Sequence, residues 1–137
     1  MADPPEPTVP RRYRLPNRMR LKTAGQFRAV YDRGMSTAGG PLVIYARPNA
    51  LDHPRLGLSV SRRVGRAVTR NRIKRLLRES FRLHQHDLPC GYDLVVNVRP
   101  HTPLPLTEYR RVWTKALEAL HRRWTRRAVN SRATTDA

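Results

Sequence analysis

One cysteine in 137 residues excludes an intrachain disulfide framework, and a lone thiol cannot build a cysteine-cluster zinc site. Acidic residues are scarce too. Ten Asp plus Glu stand against 28 Lys plus Arg, a formal net charge of +18. Too few carboxylates remain, too scattered, to suggest paired acid–base catalysis. No apolar run exceeds five residues, far short of the ~20 that span a bilayer, so no membrane segment is expected. The opening Met1-Ala-Asp-Pro-Pro-Glu-Pro7 lacks the basic start and apolar stretch of a secretion signal, and a cytoplasmic location is expected. What is present is a 39% apolar content gathered into periodic segments, enough for one folded domain.

The surplus charge is local. Residues 55–82 hold ten bases and one acid, half of the net charge in 28 positions, whereas residues 83–109 hold one base and three acids. Arg outnumbers Lys 25 to 3, which reflects either phosphate recognition or codon bias in a GC-rich genome. Position is informative; the choice of Arg over Lys is not.

Residues 1–17 are proline-rich and aperiodic and read as a disordered lead-in, 18–125 as the folded domain, and 126–137 as a disordered polar and basic tail. Thr23 with Gln26 forms a capping-box pattern and Gly34 a stop, around a short helix with Phe27, Val30 and Tyr31 on one face. Leu42–Arg47 alternates as a strand, with Leu42, Ile44 and Ala46 on one side and Val43, Tyr45 and Arg47 on the other. In a second strand, Arg55–Ser61, Leu56, Leu58 and Val60 point inward, and Gly57, Ser59 and Ser61 leave a small, hydroxylated outer face. A long helix follows over about 66–86, with Ile73, Leu76, Leu77 and Phe81 as its buried stripe and Asn71, Arg75, Arg78 and Arg82 opposite. Leu94–Val98 has the β-branched content of a central strand. Thr107 is expected to cap a last helix, with Glu108 in its first turn and Tyr109, Val112, Trp113, Ala116, Leu117 and Leu120 on its apolar face. Helices and strands in this order around one sheet make an α/β sandwich of two layers.

No self-contained active site emerges. Asp87, Asp93 and Glu108 come nearest to an acidic cluster, and Glu108 is explained by its helix position. His84, His86 and Cys90 could be metal ligands, but a fourth is missing and a polar helix end accounts for them equally well. Gly39-Gly40 precedes a strand rather than opening a helix, so it is not a phosphate loop. Polyanion binding is the signal that remains. Arg62, Arg63 and Arg66 lead into the long helix, and Arg70, Asn71, Arg72, Lys74 and Arg75 occupy its first half. A solvated face normally alternates sign, and like charges packed without compensation call for a neutralising partner. The helix is long, lies between strands and has no short partner helix with a tight turn, which favours folded RNA over a DNA groove.

The stretch Arg55-Leu-Gly-Leu-Ser-Val-Ser-Arg-Arg-Val-Gly-Arg-Ala-Val-Thr-Arg-Asn-Arg-Ile-Lys-Arg-Leu-Leu-Arg-Glu-Ser-Phe-Arg82, centred on Arg70-Asn71-Arg72, resembles the signature of the bacterial ribonuclease P protein family. The resemblance implies the order αβββαβα, with a further strand near Met35–Ala38, a mixed four-stranded sheet and a left-handed crossover through the long helix. It implies the protein subunit of an endoribonuclease that removes 5′ leaders from precursor tRNA, with no catalytic residue on the protein and magnesium held mainly by the RNA. Arg62, Arg63, Arg66, Arg70, Asn71, Arg72, Lys74, Arg75 and Arg78 would then face the catalytic RNA. Phe27, Tyr31, Val43, Tyr45, Ser59 and Ser61 would line a cleft for the leader of precursor tRNA. A 1:1 complex with the RNA, and a monomer when free, are likewise implied. Spacing alone leaves Phe27 and Tyr31 open to an ordinary core role, and a structural RNA-binding protein of ribosomal type remains the alternative.

Overall fold

The structure is a computed structural model that describes residues 15–84 and 91–135, with side chains to 129. His86, Asp87 and Cys90 lie outside the described residues, as does the start of the proline-rich lead-in.

Thr23 opens α1 (Ala24–Arg33). Its hydroxyl accepts from the Gln26 backbone N–H, and the Gln26 side chain accepts from the Thr23 N–H, the reciprocal cap the sequence predicts. Gly34 ends the helix for a different reason than a left-handed turn, since its φ is −84°. A Cβ there would collide with the carbonyl oxygens of Val30 and Ala46, so glycine lets the helix end lie against the neighbouring strand.

The sheet comprises β1 (Met35–Gly39), β2 (Leu42–Pro48), β3 (Arg55–Val60) and β4 (Tyr92–Val98) in the order β1-β2-β4-β3. β1–β2 and β2–β4 are antiparallel and β3–β4 parallel, joined by α2 (Ala67–His84); α3 (Leu106–Thr135) is the last described element. Alternation sorts the faces. Leu42, Ile44, Leu94, Val96 and Leu56 join Ile73, Leu77, Phe81, Tyr109, Trp113 and Leu120 in the main core under α2 and α3. Val95, on the other face, joins Val30 and Leu21, with Phe27 and Tyr45 packed against them under α1. β4 is buried on both faces, which explains its near-continuous apolar sequence.

The folded region departs from the predicted boundaries at both ends. Leu15 and Met19, to either side of the expected start at 18, are 4% and 5% exposed and belong to the main core. The expected unpatterned tail instead continues α3 as far as Thr135. Thr107 is not the cap of α3: it sits within the first turn, whose Glu108 and Tyr109 N–H groups donate to the Pro105 carbonyl. Among the described residues Asp93 belongs to no acidic cluster. Its buried carboxylate takes both Arg55 Nε (2.8 Å) and Nη2 (2.7 Å), and a third bond from Asn49 Nδ2 at 2.9 Å. The β3–β4 register sets Arg55 directly opposite Asp93, so this pair ties the two parallel strands together.

Candidate nucleic-acid interface

β3 runs into a tight turn at Arg62–Val64, and Gly65, at φ 155°, redirects the chain into α2. A non-glycine residue is strained at that φ. Ser61, Arg62, Arg63 and Arg66 are therefore exposed on one short connection. Ile73, Leu77 and Phe81 face the core at 0–1% exposure, and this fixes the outer side of α2. Asn71 and Arg72 are exposed there, and Arg70, Lys74, Arg75 and Arg78 are half-buried at its flanks. The acid of this region, Glu79, accepts two bonds from Arg82 Nε and Nη2, so it does not compensate the arginines nearer the N-terminus. Arg82, grouped from spacing with the open basic stripe, is thus held in an ion pair. Burial, and then the neighbouring Arg20 guanidinium, hold Arg78 below the usual arginine range. Arg72 lies on the α3 side of the helix, where its charge opposes the rise that burial causes in the Tyr109 phenol. The cations thus extend from the α2–α3 seam across to Arg20, beside β3.

The second feature lies on the opposite face of the sheet, under α1. Phe27 packs its ring on Gly57, where a built Cβ would come within 2.6 Å of Phe27 Cζ; the bare glycine is what admits the ring. One turn on, Tyr31 meets Tyr45 edge-to-face at 4.9 Å, and its hydroxyl donates to Asn97 Oδ1 at 2.6 Å. Tyr31 is 37% exposed, Val43 and Tyr45 are half-buried, and Ser59 is open at the rim. The result is a groove with aromatic walls and a hydroxyl edge, a surface suited to stacking unpaired bases. The structure brings Phe27, Tyr31, Val43, Tyr45 and Ser59 together on this face. Ser61 lies beyond the end of β3, between the groove and the Arg62–Val64 turn.

These two surfaces meet along β3 and the α2 connection, the same segment that carries the Arg-Asn-Arg signature. The sequence model of the Ribonuclease P family matches residues 15–130. The chain belongs to the ribonuclease P protein family. It is 40% identical over 114 residues to the ribonuclease P protein component of Desulfovibrio desulfuricans, covering 82% of this chain and 88% of that one. Its fold matches the ribonuclease P protein of Staphylococcus aureus with a TM-score of 0.65 at 34% identity, over 74% of this chain and 94% of the other. The Thermotoga maritima ribonuclease P protein matches with a TM-score of 0.66 at 30% identity, over 73% and 96%.

Asn97, bonded to Tyr31, and Arg20, beside Arg78, adjoin these two candidate surfaces, and neither is singled out by the sequence. Asn97 was hidden in a strand buried on both faces, though its pairing opposite Val43 places it on the groove side. Arg20 reaches α2 only through a bridge of its backbone to Leu56, a pairing no local pattern signals. Among the described residues no three His, Cys, Asp or Glu side chains come together as a metal cage. Nor is any described helix long and apolar enough to cross a membrane.

Proposed function

We propose that this protein, as the protein component of ribonuclease P, uses the outer side of α2 to hold the catalytic RNA and the α1–sheet groove to hold the 5′ leader of precursor tRNA. The observation that carries this reading is the junction of the two surfaces through Ser59, Ser61 and Arg62, where an aromatic groove opens onto a cationic helix. Duplex or folded RNA presents phosphates, which suit Arg66, Arg70, Arg72 and Lys74. An unpaired leader of any sequence presents base faces, which suit Tyr31 and Tyr45.

The protein binds and orients, and bond cleavage belongs to the RNA. The magnesium ions are placed with the RNA, whose phosphates are the hard oxygen donors this ion prefers. A monomer joining the RNA 1:1 in the cytoplasm completes the reading. The test is to add the purified chain to ribonuclease P RNA at physiological magnesium concentration. Leader removal from precursor tRNA should accelerate, and the RNA-free protein should cleave nothing. No acceleration, with RNA binding intact, would instead support a purely structural RNA-binding role.

A further inference from the structure

At the opposite edge of the sheet from α2, the C-terminal half of α3 crosses β1 and β2. Arg123 Nη1 donates to the Ser36 carbonyl at 2.7 Å, and Trp124 Nε1 donates to the Ala46 carbonyl at 2.9 Å. The indole is therefore fixed in place while half-exposed. Two hollows adjoin it and share Pro48, Trp124 and Arg127. One, of about 380 Å³, is walled by Trp124, Pro48, Tyr92 and His121, with the Tyr92 hydroxyl and His121 Nδ1 2.9 Å apart at its back. The other, of about 590 Å³, gathers the cations Arg33, Arg47 and Arg127 against one carboxylate, Asp32. Arg127 spans the two, its guanidinium 5.3 Å from the centre of the Trp124 ring. Small-ligand sites fall in this size range, flat apolar walls beside a few converging polar groups.

We infer that this is a second RNA-binding site, which takes one unpaired nucleotide with its base in the Trp124 hollow and its phosphate among Arg33, Arg47 and Arg127. An indole locked by a backbone hydrogen bond is a stacking platform that loses little freedom on binding, and a guanidinium can stack on the base while reaching the phosphate. A protein partner fits less well: an acidic segment would use the cations but leave the aromatic hollow empty. The strand order β1-β2-β4-β3 sets this site at the β1–β2 edge and α2 beside β3, so the two surfaces engage different segments of RNA. The inference rests on the reading that the protein binds ribonuclease P RNA.

Two measurements test it. In the first, Arg33→Ala plus Arg127→Ala is compared with Arg70→Ala plus Arg72→Ala for affinity to ribonuclease P RNA over a range of salt. Both residues of the first pair are exposed, so melting temperature should hold. Affinity should fall about 10-fold, and the slope of log K against log salt should become shallower by about 0.7–0.9 for each phosphate left unneutralised. Lys at both positions should restore much of the loss. In the second, a Cys90→Ser background carries an iron chelate at Ala128→Cys or at Asn71→Cys, and RNA cleavage is mapped in the complex. Cuts from 128 should fall at a looped segment separate from those made from 71. Unchanged affinity and slope for the Arg33 and Arg127 pair, or no cuts from 128, would overturn the site. So would a loss of RNA affinity no larger than the loss of affinity for polyglutamate, which would make the patch a site for acidic protein. If the Arg70 and Arg72 pair is equally silent, it is the wider reading of the protein's function that has failed.

Discussion

Tyr45 occupies the groove face of β2 because alternation commits Leu42, Ile44 and Ala46 to the core, where they are 0–1% exposed. Its ring meets that of Tyr31 edge-to-face and is only half-buried, so part of its surface stays open to a leader base. Tyr45→Ala is expected to weaken precursor tRNA binding to the assembled enzyme by about 1–3 kcal/mol, the usual cost of removing one stacking surface. Mature tRNA, which has no leader, should bind almost unchanged. Equal losses for both, with a large drop in melting temperature, would make Tyr45 a core residue. Gly57 supports the facing wall. Its backbone would accept alanine, but the added Cβ would meet the Phe27 ring at 2.6–2.8 Å. Gly57→Ala should therefore destabilise by about 1–3 kcal/mol through overpacking. It should also weaken leader-dependent binding while affinity for the catalytic RNA holds, and parallel titrations with precursor tRNA and RNA subunit would separate these effects.

The basic surface of α2 is set by its apolar stripe at the level of the whole element. Ile73 and Leu77 are fully buried, so Asn71 and Arg72 ride on the outer side while Arg70, three residues before Ile73, is half-buried at the edge of the stripe. Removing Arg70 and Arg72 together should cost about 1.5–3 kcal/mol of RNA affinity for each well-formed charged hydrogen bond. The circular dichroism melting curve should move little, because neither side chain is part of the apolar core. Undiminished affinity would make this side of the helix an idle solvated face. Such periodic features were legible in the sequence: the cap on Thr23, the inward faces of β2 and β3, the stripe of α2 and the apolar face of α3 all follow from spacing. Features set by long-range packing were not. Nothing local says that α1 lies on the sheet face opposite α2 and α3, that Asn97 reaches Tyr31, or that Arg55 and Asp93 pair across 38 residues. The extension of α3 was missed because its final turns lack an apolar stripe. Past Trp124 the helix is exposed as far as its side chains are described, so periodicity had no core to report.

Across the whole molecule, charge sets up two opposed responses to salt. A net +18 on a chain of this length repels itself, and Glu79, which might have relieved α2, is spent on Arg82. Raising salt from 0.05 to 0.5 M shortens the Debye length from about 14 to about 4 Å and screens that repulsion. The free protein should therefore melt at a higher temperature as salt rises. The complex should do the reverse. Bound RNA stabilises the fold by RT ln(1 + [L]/Kd), about 2.7 kcal/mol when RNA stands at 100 times Kd. If the protein neutralises 6–10 phosphates, affinity drops roughly 10³- to 10⁵-fold between 50 and 200 mM salt, and that stabilisation vanishes. Melting curves with and without ribonuclease P RNA should thus converge as salt increases, the lower one rising and the upper one falling. A free protein whose melting temperature ignores salt would show that its cations are already compensated within the fold. In that case the clustering of ten bases between residues 55 and 82 would no longer argue for a polyanionic partner.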